Sequence, residues 1–140
     1  RRIVELDTET RAGRGWTLDA TSLDAMGEVA GRTVGLVGYG AVARRLHTVL
    51  EALGARVLVH TRTPPNEPVE LRPLDTLLAE SDVVSLHLPL VPETEKLLDR
   101  RRLSAMKPGA ILLNTSRGGL VDEEALFERL REGHLRAAGQ

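Results

Sequence analysis

The stretch VGLVGYGAVARRLHTVLEALGARVLVHTRT, Val34 to Thr63, constrains the fold more than any other part of the chain. TVGLV, from Thr33, is a short apolar run bounded by glycines, as expected of a parallel strand buried on both faces. Val42, Leu46, Val49, Leu50 and Leu53 then recur at helical spacing, and Gly54 ends the predicted helix. RVLVH, Arg56 to His60, forms a second predicted strand. A strand, a helix and a second strand in this order make a crossover unit, which is right-handed when the strands are parallel.

The alternation continues to the end of the chain. Pro64, Pro65, Pro68 and Pro73 predict a loop. LDTLLAE (Leu74 to Glu80) reads as a short helix and DVVSLHL (Asp82 to Leu88) as a third strand. Asp99 caps a helix running to about Met106, Lys107-Pro108-Gly109 turns the chain, and AILLNT (Ala110 to Thr115) is a fourth strand. Asp122 caps a last helix with apolar positions Ala125, Leu126 and Leu130, closed by Gly133, and Leu135 to Gly139 begins a fifth strand. Ahead of this, Arg1 to Arg11 fits one short helix, and Ala12 to Gly31, with four glycines and the only Trp (Trp16), reads as an extended arm. The expected class is α/β with a doubly wound parallel sheet. Residues 1–30 are expected to be a partial helix and a hinge or dimer arm, and residues 31–140 one ligand-binding domain. Ligands of such sheets sit off the carboxyl ends of the strands, here Gly38, His60-Thr61-Arg62, His87-Leu88-Pro89 and Thr115-Ser116-Arg117.

Composition narrows the chemistry. One Trp, one Tyr and one Phe in 140 residues leave the core to Leu, Val, Ile and Ala. Without cysteine, disulfides, zinc–thiolate sites and thiol nucleophiles are excluded. His47, His60, His87 and His134 are too scattered for a metal cluster, so no metal is expected. Net charge is −1, and the one dense basic run, Arg100-Arg101-Arg102, follows Asp99 as a solvated helix start would. No stacking aromatic accompanies it, so no nucleic-acid partner is expected. No apolar run reaches the roughly 18 residues of a membrane span, and no signal peptide is visible, which makes a cytoplasmic location the default.

Gly38-Tyr39-Gly40-Ala41-Val42-Ala43 fits G-x-G-x-x-G/A between a strand and a helix. Gly38 permits the tight turn, Gly40 lets a pyrophosphate approach backbone N–H groups, and the third position needs only a small residue, which Ala43 supplies. The competing reading is a tight turn that holds no ligand. An NAD site usually carries an acid about 20 residues on, bound to the ribose 2′-hydroxyl. Thr61-Arg62-Thr63 stands there instead, and the nearest downstream acid, Glu67, lies beyond two prolines. A carboxylate would repel the 2′-phosphate of NADP, whereas Arg62 can form charge-assisted bonds to it and Thr61 and Thr63 add hydroxyls. The segment therefore favours NADP, or use of both cofactors, over strict NAD. Alternatively, Arg62 stacks over the adenine or points to solvent.

SDVVSLHLPLVPETEKLLDRRRLSAMKPGAILLNTSRGGLVDEEAL (Ser81 to Leu126), together with GRTVGLVGYG, closely resembles the nucleotide-binding domain of the D-isomer-specific 2-hydroxyacid dehydrogenases. HLPL-x-PET, MKPGA and NTSRGGLVD carry the resemblance, and RAGRGW resembles the family's lead-in to this domain. The resemblance implies a Rossmann-type domain from a two-domain enzyme. That enzyme transfers hydride between NAD(P)H and a small 2-oxo or D-2-hydroxy acid, and works as a homodimer joined largely through this domain. It further implies that Ala41 and Val42, after the Gly38-Tyr39-Gly40 turn, contact the pyrophosphate, in part through backbone, and that Thr61, beside Arg62 and Thr63, takes the ribose-selecting position. His87, Leu88 and Pro89 would line the adenosine side with Thr94 nearby, and Thr115 and Ser116 would lie near the nicotinamide. Arg117 matches the family's catalytic arginine.

The chemistry of a 2-oxo acid suits that role for Arg117, because one guanidinium can hold the carboxylate and polarise the adjacent carbonyl. The plainer reading is one more surface arginine. Family members often have a basic residue where this chain has Ala41, a small loss if backbone holds the pyrophosphate. The family's acid/base histidine and its orienting carboxylate fall in motifs beyond Gln140. Half of the active site is therefore expected here, binding cofactor without turnover. His60 is expected beside the adenosine, and His87 is not the family's proton donor. Two other readings stay open: the NAD domain of an S-adenosylhomocysteine hydrolase, which usually retains the ribose acid, and a dinucleotide-sensing corepressor of the same family.

Overall fold

The computed structural model describes residues 3–14 and 27–139, with residues 3–6 described by backbone alone. Trp16 and most of the predicted arm lie outside the described residues. Helix α1 covers Ile3–Arg11, and the domain proper then runs β1 (Thr33–Val37), α2 (Ala41–Ala52), β2 (Arg56–His60), β3 (Glu70–Leu71), α3 (Leu74–Glu80), β4 (Val83–Leu86), α4 (Arg100–Ala105), β5 (Ile111–Asn114), α5 (Glu123–Arg131) and β6 (Ala137–Gly139). All strands pair in parallel in the order β3-β2-β1-β4-β5-β6. The order reverses between β1 and β4, and at such a switch point diverging crossovers open a crevice beyond the strand ends.

Alternation along the strands builds two apolar layers. Val34, Leu36, Val57 and Val59 face α2 through Ala43 and Leu50. On the opposite face Val37, Leu58, Val84, Leu86 and Leu112 pack with Leu77 and Leu78 of α3, Leu103 of α4, and Ala125 and Leu126 of α5. Gly35 is required where α3 presses on β1, because a Cβ there would lie 2.4 Å from Leu77 Cδ2 and 2.5 Å from Ser81 Oγ. The predicted caps form: Asp99 accepts from the Arg102 amide, Asp122 accepts from the Ala125 amide, and Gly133 adopts a positive φ of 73°.

The structure corrects two expectations. The proline-rich loop contains a strand, β3, paired with β2 through Leu58↔Glu70 and Val59↔Leu71, so the strand predicted as fifth is the sixth. Two residues are too few to show an alternating pattern. Pairing with the open edge of β2 creates the strand, and Arg56 reaches Glu70 at 2.5 Å across it. The buried stripe of α2 also differs, comprising Ala43, His47 and Leu50, whereas Val42, Val49 and Leu53 are 68%, 54% and 52% exposed. Of the predicted apolar positions Leu50 is buried and Leu46 packs against the same core, while His47 takes the remaining place in the stripe, its Nδ1 2.6 Å from Tyr39 Oη and its Nε2 3.4 Å from a Glu51 carboxylate oxygen. The arginine run is a helix start, as expected. Arg101 and Arg102 both bond Asp75, at 2.9 and 3.1 Å, and Arg100 pairs with Glu128.

Candidate functional site

The β1–α2 turn is shaped by a backbone contact. Gly38 has φ 93°, and a Cβ there would lie 2.5 Å from the carbonyl oxygen of His87. The Gly38 amide donates to the His60 carbonyl at 2.8 Å, and the His87 amide donates to the Val37 carbonyl at 2.8 Å. Three strand ends thus converge on one turn, and Thr61 follows directly on the second of them.

Gly40 differs from Gly38. Its φ is −85°, and no heavy atom lies within 4 Å of the position a Cβ would take. The space in front of it is open, at the N-terminus of a helix whose cap residue offers no side chain. The first amides of such a helix have no intrahelical acceptor and point outward with the positive end of the dipole. An open cradle before free N–H groups fits a pyrophosphate.

From this turn a cleft of about 650 Å³ extends along the strand ends. One wall is Gly40 to Ala43, the floor is His87 to Leu90, and the other wall is Thr115 to Arg117. The segments that follow the floor and the far wall in the chain are joined by backbone bonds from the Lys96 amide to the Gly119 carbonyl at 2.7 Å and from the Leu98 amide to the Leu120 carbonyl at 3.0 Å. Gly119 allows that approach, since a Cβ there would lie 2.9 Å from Leu90 Cδ2.

Of the residues singled out in the sequence, Gly40, Ala41, Val42, His87, Leu88, Pro89, Thr115, Ser116 and Arg117 line this cleft. The others sit elsewhere. Gly38 lies buried beneath the turn, and the Tyr39 side chain turns away from the cleft to His47 and Arg44. Thr61, Arg62 and Thr63 lie beyond β2, on the flank; Thr61 Oγ1 donates to the Thr63 carbonyl at 3.2 Å, and Arg62 is exposed. Thr94 donates to the Pro89 carbonyl at 2.8 Å and accepts from the Val91 amide at 2.9 Å, which folds the loop under the floor. His60 Nδ1 lies 3.2 Å from the Arg72 carbonyl.

The far wall depends on a residue that opens the NTSRGGLVD motif but is given no role by the sequence alone. Asn114, 4% exposed, accepts from the Ser116 amide at 3.1 Å and donates to the Arg117 carbonyl at 2.9 Å. Ser116 Oγ donates to the Leu86 carbonyl at 2.9 Å. The Arg117 backbone is thereby fixed while its guanidinium stays exposed, donating among the described residues only to the Ser116 carbonyl at 2.9 Å. On the floor, Ser85 Oγ and His87 Nε2 are 3.0 Å apart, and burial holds the His87 imidazole below its ordinary pKa, which leaves it neutral at pH 7. Among the described residues no His, Asp and Glu cluster could hold a metal ion, and no helix is long and apolar enough to cross a membrane.

The sequence profile of the D-isomer specific 2-hydroxyacid dehydrogenase NAD binding domain matches residues 1–140. This chain belongs to that family. A member of similar sequence is the glyoxylate reductase of Aeropyrum pernix, 40% identical over 146 residues, covering 99% of this chain and 44% of the relative. The crystal structure of the TT0316 protein from Thermus thermophilus superposes with a TM-score of 0.88 at 50% identity, covering 99% of this chain and 44% of that one. The acyclic imino acid reductase Bsp5, solved with NADPH and D-Arg, superposes with a TM-score of 0.89 at 31% identity, over 99% and 45%. The 2-hydroxyacid dehydrogenase domain described here therefore spans less than half the length of these relatives.

Proposed function

We propose that this domain binds the dinucleotide of an oxidoreductase acting on small 2-oxo or D-2-hydroxy acids, in the manner of a glyoxylate or hydroxypyruvate reductase. The observation that carries the reading is the single cleft joining the open Gly40 cradle, the His87–Leu90 floor and the Arg117 wall. In it the amides of Ala41 and Val42 would hold the pyrophosphate, and Leu88 and Pro89 would pack against the adenosine side. When bound, a reduced nicotinamide supplies a hydride to the substrate carbonyl carbon, whose oxygen takes up a proton. Arg117 contributes by pairing with the substrate carboxylate and polarising the carbonyl beside it, and orientation by such a clamp lowers the barrier. The Thr61-Arg62-Thr63 flank favours NADP, because it presents a guanidinium and hydroxyls without a carboxylate. The exposed Val49 on α2 and Leu53 just after it accord with a homodimer joined through this domain.

Titration of the chain with NADPH and NADH tests the cofactor reading, with tighter NADPH binding expected. Binding of NADH about ten times more tightly, a difference of about 1.4 kcal/mol, would sink the preference. In the enzyme that carries this domain, Arg117→Ala should remove most turnover of glyoxylate and hydroxypyruvate. Near-normal turnover would rule out the clamp.

A further inference from the structure

The loop from Thr61 to Val69 carries one cation, Arg62, and one acid, Glu67. The fold treats them differently. A single Nη1 of Arg44, in the first turn of α2, reaches both Glu67 oxygens, at 2.7 and 2.9 Å. The Arg44 guanidinium also lies 5.4 Å from the centroid of the Tyr39 ring. Tyr39 is braced in turn, its hydroxyl 2.6 Å from Nδ1 of the buried His47. The loop's acid is thus pinned to the helix that follows the glycine turn. Arg62 makes no hydrogen bond or ion pair among the described residues.

We propose that Arg44 is a positioning residue for cofactor selectivity: by holding Glu67 against α2, it keeps the carboxylate away from Arg62 and from the ribose side of the site. The inference rests on the NADP reading above and extends it to a residue outside the Thr61–Thr63 segment. A released Glu67 has two electrostatically favourable courses. It can pair with Arg62 and neutralise the charge that would meet a 2′-phosphate, or it can approach the ribose, where a carboxylate accepts from the 2′-hydroxyl and repels a phosphate. Both move selectivity from NADPH toward NADH. Arg44 itself need not touch the cofactor.

The test measures NADPH and NADH dissociation constants by calorimetry on the 140-residue chain and on its Arg62→Ala, Arg44→Met, Glu67→Gln and Arg44→Met/Glu67→Gln variants. Arg62→Ala examines the NADP reading alone and should abolish the preference. Arg44→Met should reduce the NADPH-over-NADH ratio about two- to fivefold, the scale of exposed charge interactions, and Glu67→Gln should leave it unchanged or raised. The double variant decides the route, because removing the released acid should restore the ratio. An equal loss of both cofactors in Arg44→Met marks a structural role and overturns the proposal. A ratio that stays low in the double variant means that Arg44 meets the phosphate directly, and overturns it too. If the unaltered chain prefers NADH, the NADP reading fails. The proposal then stands only if Arg44→Met still moves the ratio toward NADH and Glu67→Gln reverses that shift.

Discussion

The carboxamide of Asn114 and the backbone of Arg117 are locked together, with Nδ2 donating to the Arg117 carbonyl at 2.9 Å and Oδ1 accepting from the Ser116 amide at 3.1 Å. A buried side chain at the end of β5 therefore sets where the exposed guanidinium begins. Asn114→Leu keeps the branched outline of the side chain and leaves both backbone groups without that partner. Urea unfolding should show a loss of about 1–3 kcal/mol, the cost of unsatisfied buried polar groups. Dinucleotide affinity should fall as the far wall loosens, and unaltered affinity would show that the clip serves the fold alone.

The two glycines of the turn should separate stability from binding. Gly38→Ala forces a side chain into a left-handed backbone, worth about 1–2 kcal/mol, and onto the His87 carbonyl 2.5 Å away. A large drop in melting temperature is expected. Gly40→Ala meets nothing within 4 Å, so the melting temperature should hold while dinucleotide binding weakens, because the new methyl occupies the cradle. Full binding by Gly40→Ala would argue against a pyrophosphate at this turn.

Gly35 answers to packing alone. Its missing Cβ makes room for Leu77 Cδ2 and Ser81 Oγ, which would lie 2.4 and 2.5 Å from it. Gly35→Ala should cost about 1–3 kcal/mol, as overpacking of a close-packed core does. Calorimetric melting is the measurement, and a neutral outcome would mean that α3 shifts freely on the sheet.

His87 should titrate below its ordinary value of 6.5, since burial disfavours the imidazolium. The sign follows from linkage. Below pH 6.5 the unfolded imidazole takes a proton that the folded one refuses, so the stability present above that pH is lost as pH falls through the folded value. NMR titration of the ring should place the midpoint below 6.5. His87→Gln should flatten the acid side of the stability curve, and an unchanged acid limb would assign the sensitivity to other groups.

Much of this is legible in the residues alone. The strand ends named from the sequence are those that border the cleft or its flank, because parallel strands announce themselves as short apolar runs closed by glycine and polar residues. What escapes is whatever depends on a partner distant in the chain. β3 is two residues long and exists by pairing with β2. Asn114 reads as the polar end of an apolar strand, and only the return of the chain through Ser116 and Arg117 gives its carboxamide work. The stripe of α2 reads only in part, through Leu46 and Leu50, because His47 counts as polar until Tyr39 is seen beside it.

Local chemistry alone settled the α/β class, the glycine turn and the caps at Asp99 and Asp122, since these rest on backbone preference and on contacts within a few residues. The tertiary structure decided which glycine is steric and which is open, and which arginine is held and which has no partner among the described residues. Gly38 and Gly40 are the same residue two positions apart, distinguished by a carbonyl at the end of β4 that only sheet formation brings near. Arg44 and Arg62 carry the same charge, distinguished by Glu67, which only the folded loop carries to α2. Long-range contact, rather than residue type, separates their roles.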